Sequence, residues 1–128
     1  MTVTVRIEEQ LSRVIVTVPP NTRWAAFQRE VIGAIEDAPH ITDWNWIIDE
    51  ERQQMDDVDV DGMMRIGRTF RRHTRTPERA VTIVVTNDRF YALWARVMNY
   101  NFWGRQHQGA KTLREAEAML DRIDTFQV

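Results

Sequence analysis

Ala80-Val81-Thr82-Ile83-Val84-Val85-Thr86 decides the fold class. It is the most apolar strand candidate in the chain and nearly continuous rather than alternating, which is expected of an interior strand covered on both faces. Upstream, Trp44-Asn45-Trp46-Ile47-Ile48-Asp49 is short, aromatic and β-branched, and reads as a strand that delivers Asp49 into an acidic loop. Between the two, a helix is expected from Met63. It carries Met63, Ile66, Gly67 and Phe70 on one side and Arg65, Arg68 and Arg72 on the other, and ends before Pro77. Downstream, Asn87-Asp88 opens a helix whose core stripe is Phe90, Leu93, Trp94 and Val97, widened by Tyr91 and Met98. Arg105 to Lys111 is polar and weakly alternating, as an edge strand would be. Thr112-Leu113-Arg114-Glu115 is a capping box that starts a final helix of Leu113, Ala116, Leu120 and Ile123.

The N-terminal part completes the sheet. Val3, Val5 and Ile7 alternate with polar residues, a turn falls at Gln10-Leu11-Ser12, and the alternation resumes at Val14, Val16 and Val18. This is an antiparallel hairpin, stopped by Pro19-Pro20, which lack backbone donors. Asn21 or Thr22 can cap the next helix, in which Trp24, Phe27, Val31 and Ile35 form one buried stripe before Pro39 ends it. The expected fold is α/β, one domain over residues 1–128, with the order ββαβαβαβα. Its mixed five-stranded sheet has an N-terminal antiparallel hairpin and helices packed on it.

Composition sets further bounds. The chain has 128 residues, 43% of them hydrophobic and 28% charged, a net charge of −2 and no cysteine. A chain of this length buries a core without disulfides or metal staples, and the lack of cysteine excludes thiol catalysis and cysteine-bound zinc and fits a reducing cytoplasm. No apolar run approaches the roughly 18 residues of a membrane span, and the N-terminus lacks the apolar region of a signal peptide, so a cytoplasmic protein is expected. Arginines and a single lysine, Lys111, are balanced by acids, so global charge makes no case for nucleic acid.

Asp57-Val58-Asp59-Val60-Asp61-Gly62 matches the opening of a calcium-binding loop, but Arg65 and Arg68 fall where further ligands are needed. Helix chemistry explains the same residues: Asp61 can cap the second helix, and arginines suit its body and end. His40, His73 and His107 lie in different elements with no second ligand at helical spacing, so no metal or cofactor is assigned. The lone serine, Ser12, sits in the hairpin turn, and catalysis would have to rest on Asp49, Glu50 or Asp61, in a loop that reads as solvated. Tyr91, Trp94, Tyr100, Phe102 and Trp103 crowd together beyond the needs of one helical stripe. Trp94 belongs to the core stripe, whereas Tyr100, Phe102 and Trp103, at or past the helix end, are expected to line an apolar pocket, form a dimer contact or seal the sheet edge.

In this order of elements, from the hairpin through the Pro-Pro break to Thr112-Leu113-Arg114-Glu115-Ala116-Glu117-Ala118-Met119-Leu120, the chain resembles the SpoIIAA-like group of small bacterial α/β domains. That group is related in fold to STAS anti-sigma-factor antagonists and to SEC14-type lipid-binding domains. In STAS antagonists the second helix opens with an Asp-Ser-Ser-Gly type motif whose second serine is phosphorylated to control partner binding. Asp59-Val60-Asp61-Gly62 stands in the similar place, with Asp61 where the hydroxyl would be, so that switch is lacking. The resemblance implies a non-catalytic regulatory or protein-interaction module whose partner, another protein or a second copy of the chain, docks on Asp59, Asp61, Gly62, Arg65, Arg68 and Arg72. The alternative is a carrier of an apolar small molecule or lipid, held by Phe90, Trp94, Tyr100 and Trp103. A small hydrolase is a distant third.

Overall fold

A computed structural model describes residues 2–50, 55–75, 80–88, 91–102 and 105–126, without the side chains of Ala92, Trp94, Tyr100, Asn101 and Phe126. The strands are β1 (Thr4–Glu8), β2 (Arg13–Thr17), β3 (Asn45–Asp49), β4 (Val81–Val85) and β5 (Gln106–Ala110). The helices are α1 (Trp24–Asp37), α2 (Val60–His73), α3 (Tyr91–Asn101) and α4 (Leu113–Phe126), with a short 3-10 helix over Pro39–Asp43. The architecture is therefore α/β in the expected order. Among the described residues no helix is long and apolar enough to cross a membrane.

The sheet runs β1-β2-β3-β4-β5, strictly in chain order. β1 and β2 are antiparallel, joined through a turn in which Ser12 takes a left-handed conformation (φ 52), and every later pair is parallel. Register aligns the side chains in rows: Val14, Trp46, Thr82 and His107 form one, and Val16, Ile48, Val84 and Gly109 the next. Strand residues alternate between faces, and these two rows lie under α1, α2 and α3, with Trp24, Phe27, Val31, Met63, Ile66, Phe70 and Phe102 packed above. On the opposite face Ile15, Ile47 and Ile83 form a row, and with Val85 they are covered by Ala116 and Leu120 of α4. The run 80–86 is thus covered on both faces, as its composition requires.

Local detail departs from expectation in three helices. Neither Asn21 nor Thr22 caps α1. Its first amide, Trp24 N–H, donates to the Asp57 carboxylate at 3.1 and 3.2 Å, a cap delivered from 33 residues away. α2 begins at Val60 rather than Met63, and its cap is Asp59, which accepts from Gly62 N–H at 2.7 Å, while Asp61 lies exposed in the first turn. In α3 Val97 of the expected stripe and Met98 of its flank pack against the core beside the buried Phe102, whereas Leu93, also expected in the core, is 61% exposed. The final capping box forms, with Glu115 N–H donating to Thr112 Oγ1 at 3.1 Å and the Glu115 carboxylate reaching back to Lys111 N–H at 3.2 Å.

Gly62 sets the distance between α1 and α2. A Cβ there would run into the Trp24 indole nitrogen and lie 2.6 Å from Gln28 Nε2 and 2.9 Å from Asp59 Oδ1. It would displace both the α2 cap and the hydrogen bond from Trp24 Nε1–H to Asp59 Oδ1. Gly62→Ala is therefore expected to destabilise the fold by about 1–3 kcal/mol despite alanine's better helix propensity, seen as a lower urea midpoint at unchanged slope.

Candidate functional site

A cavity of about 270 Å³ lies between the helix layer and the sheet. Its walls are Trp24, Phe27 and Val31 from α1, Met63, Ile66 and Phe70 from α2, and Tyr91, Met98 and Phe102 from the α3 region. Its base is the sheet: Trp46 and Ile48 of β3, Thr82 and Val84 of β4, and His107 of β5. The space exists because the sheet presents small side chains beside large ones, Thr82 between Trp46 and His107 in one row and Val84 and Gly109 after Ile48 in the next. Gly109 also lets the Tyr91 ring come down on the strand, where a Cβ would lie 2.9 Å from Tyr91 Cδ1. The Tyr91 hydroxyl donates to Gln108 O at 3.2 Å and holds that wall in place.

The inner end is buried and the outer end acidic. Trp46, Phe70, Thr82, Phe102 and His107 are buried, whereas exposure rises toward Met55, Asp56, Val58 and Asp88. The outer end therefore lies just past the carboxyl ends of β3 and β4, the usual location of ligand crevices in open α/β sheets. Glu50 reaches it by parity: as the second residue after Ile48 it continues the Trp46–Ile48 face, and its backbone amide still donates to Val85 O at 3.1 Å. Burial raises its pKa from 4.5 to about 7, opposed by a long 3.5 Å hydrogen bond from Met55 N–H and reinforced by the charges of Asp88 and Asp49. The loop that reads as solvated thus contains a carboxylate, Glu50, tuned by its surroundings. The Tyr91 phenol is pushed above its ordinary value by burial and by Glu50.

Behind the inner end, Arg105 is buried. Its guanidinium donates to Thr42 O at 2.6 Å, Trp44 O at 2.7 Å and Thr82 Oγ1 at 2.9 Å, and lies 4.8 Å from the centre of the Phe70 ring. Burial lowers its pKa to about 9, still far enough above neutrality to keep the charge. His107 is held neutral, at about 3, by burial first and by Arg105 second. Its tautomer follows from geometry. Asn99 Oδ1 accepts the His107 backbone N–H at 2.8 Å, so the atom facing the ring is oxygen, and ring Nδ1, 3.0 Å from it, must carry the proton. Nε2 is left as an acceptor.

In comparisons with known proteins, no family model, curated protein or solved structure matches the chain. The site therefore has to be read from its own chemistry.

The structure distributes the expected site residues unevenly. Asp61, Arg65, Arg68 and Arg72 are exposed on α2, with Arg65 also donating to Gln28 Oε1 at 2.8 Å. Asp59 and Gly62 form the α1–α2 joint, with Gly62 buried under Trp24 and Gln28. Thr69, the hydroxyl on α2, is buried and donates to Arg65 O at 3.0 Å. Asp57 and Asp59 spend their carboxylates on helix amides rather than facing one another around an ion. Phe90 and Trp103 lie outside the described residues, as do the side chains of Trp94 and Tyr100. Of the crowded aromatic segment, Tyr91 and Phe102 line the cavity. Sequence reading placed His107 on a polar edge strand and missed its burial, and it named Glu50 as a candidate but read its loop as solvated, although alternation with Trp46 and Ile48 signalled the inward face.

The Glu50 shift carries a stability consequence. A carboxyl whose folded-state value is raised contributes stability that is fully present below the unfolded value of 4.5 and is lost as pH rises through about 7. Glu50→Gln cannot ionise. It is expected to match the wild-type Tm near about pH 4 and to exceed it at about pH 8.5, by up to about 3 kcal/mol, or roughly 10 °C. Thermal melts across that range check both the sign and the window.

Proposed function

We propose that this chain is a non-catalytic binding module for a small, predominantly apolar molecule held between the α1–α3 layer and the sheet. The observation that carries this reading is the cavity itself. An apolar cavity of roughly 150 Å³ takes a benzene ring, so about 270 Å³ accommodates a two-ring body or a medium acyl chain. Aromatic and thioether walls with a few polar groups at one end are the usual composition of a small-molecule site. Binding rather than turnover is favoured by the side chains present: the chain has no cysteine, its one serine is in the β1–β2 turn, and the Thr82 hydroxyl already serves Arg105. The resemblance to the SpoIIAA-like group is part of the proposal, and its SEC14-type kinship is the side of it that an apolar ligand suits.

A second reading, a protein-interaction module, is favoured by the outer face of α2. Asp61, Arg65, Arg68 and Arg72 are exposed there beside Val60 and Met64, which are 48% and 39% exposed. Arginine beside exposed apolar side chains is the composition of contact surfaces. If a second copy docks there, sedimentation equilibrium shows a dimer that Arg68→Glu with Arg72→Glu returns to monomer.

The cavity reading is tested with a neutral probe. Octanol should change the emission of Trp24 and Trp46 saturably, and Val84→Phe, which fills the base, should weaken it by about tenfold while the fold persists. A linear, unsaturable response, or one indifferent to Val84→Phe, refutes the reading.

A further inference from the structure

The groups that meet a ligand in this cavity identify its head group, an inference that rests on the cavity being a ligand site. Three carboxylates line it, Glu50, Asp56 and Asp88, and among the described residues no lysine or arginine does. Arg105 stands behind Phe70 and Thr82 with its N–H groups given to Thr42, Trp44 and Thr82. His107 offers an acceptor, Nε2, because its proton is on Nδ1. The Tyr91 hydroxyl hydrogen is given to Gln108 O. Thr86 adds a hydroxyl, and the charged groups of the lining share one property: they accept hydrogen bonds.

An anionic head would be brought among like charges, with no described lysine or arginine in the lining to receive it. A neutral hydroxyl can donate one hydrogen bond to a carboxylate but leaves its charge uncompensated. A protonated amine brings several donors and carries the complementary charge. Glu50 is placed to receive it, being mostly buried at the boundary between the apolar walls and the acidic outer end. We propose that the cavity takes a hydrophobic amine, its apolar body among Trp24, Phe27, Phe70 and Met98 and its ammonium against the Glu50 carboxylate. The recognition is a charge-assisted hydrogen bond inside an apolar enclosure, so it selects the head while the walls select for size.

The test uses three probes with one chain and different heads: octylamine, octanol and octanoate. Each is titrated into the full chain at about pH 8, where Glu50 is largely ionised and the amine protonated, and followed by tryptophan emission and calorimetry. Octylamine is expected to bind about tenfold more tightly than octanol, with octanoate the weakest. Glu50→Gln is expected to bring octylamine to within about threefold of octanol. Octanoate binding tightest, octylamine binding no better than octanol, or an amine preference that survives Glu50→Gln would each overturn the amine assignment and leave the cavity reading standing. Saturable binding of none of the three overturns both.

Discussion

The buried guanidinium of Arg105 is the constraint on which the helix-side architecture depends. It binds the carbonyls of Thr42 and Trp44, just before β3, to the Thr82 hydroxyl of β4, while its own backbone begins β5. Three consecutive parallel strands are thereby tied at their amino ends by one side chain. A buried arginine is tolerable only when its donors are satisfied, and here carbonyl dipoles do that in place of a carboxylate. The same charge lies against the Phe70 ring and helps keep His107 neutral, so a structural tie also determines the polarity of the cavity's inner end.

Strict chain order across the sheet explains where the cavity lies. Successive parallel strands, each added on the same side of its predecessor, place their crossover helices on one face. α1, α2 and α3 accordingly cover the same side and pack against one another, while α4 covers the other. The helix layer is held by its own joints, the Asp57 cap on α1 and the Asp59 contacts to Trp24 and α2. Beneath it the sheet presents Thr82, Val84 and Gly109 among larger neighbours, and a helix layer held over these small residues leaves space that side chains do not fill. Such a packing defect weakens a core, and its position beside a tuned carboxylate is what gives it a functional reading.

Much of the fold was legible because it depends on local pattern. The continuous run 80–86, the alternating hairpin, the Pro-Pro stop and the Thr112–Glu115 box each specify their element within a few residues. What was not legible depends on which segments meet. No local rule reveals that Asp57 will cap α1, since the two lie 33 residues apart. Nor does the polar look of Arg105 to Lys111 reveal that its first residue and His107 are buried, because burial there is decided by where Thr42, Trp44 and Asn99 arrive. The α3 stripe illustrates a third limit. Its sequence puts Leu93 and Val97 in one apolar stripe, and tertiary packing covers Val97, with Met98 and Phe102, while leaving Leu93 exposed. Glu50 is the intermediate case, readable from alternation but hidden among neighbouring acids.

The division of helices between the two faces also bears on how the protein is made. The helix side can be covered progressively, because α1, α2 and α3 each follow the strand they pack beside. The opposite face, Ile15, Ile47, Ile83 and Val85, waits for α4, and the tie that brings α4 home joins Asp121 and Asp124 to Arg13 at 2.6 and 2.8 Å, across more than a hundred residues. During synthesis an apolar sheet face therefore stands open until the last of the described elements has left the ribosome. For this chain the period of greatest exposure to aggregation and to chaperone capture comes late, after most of the sheet has been synthesised.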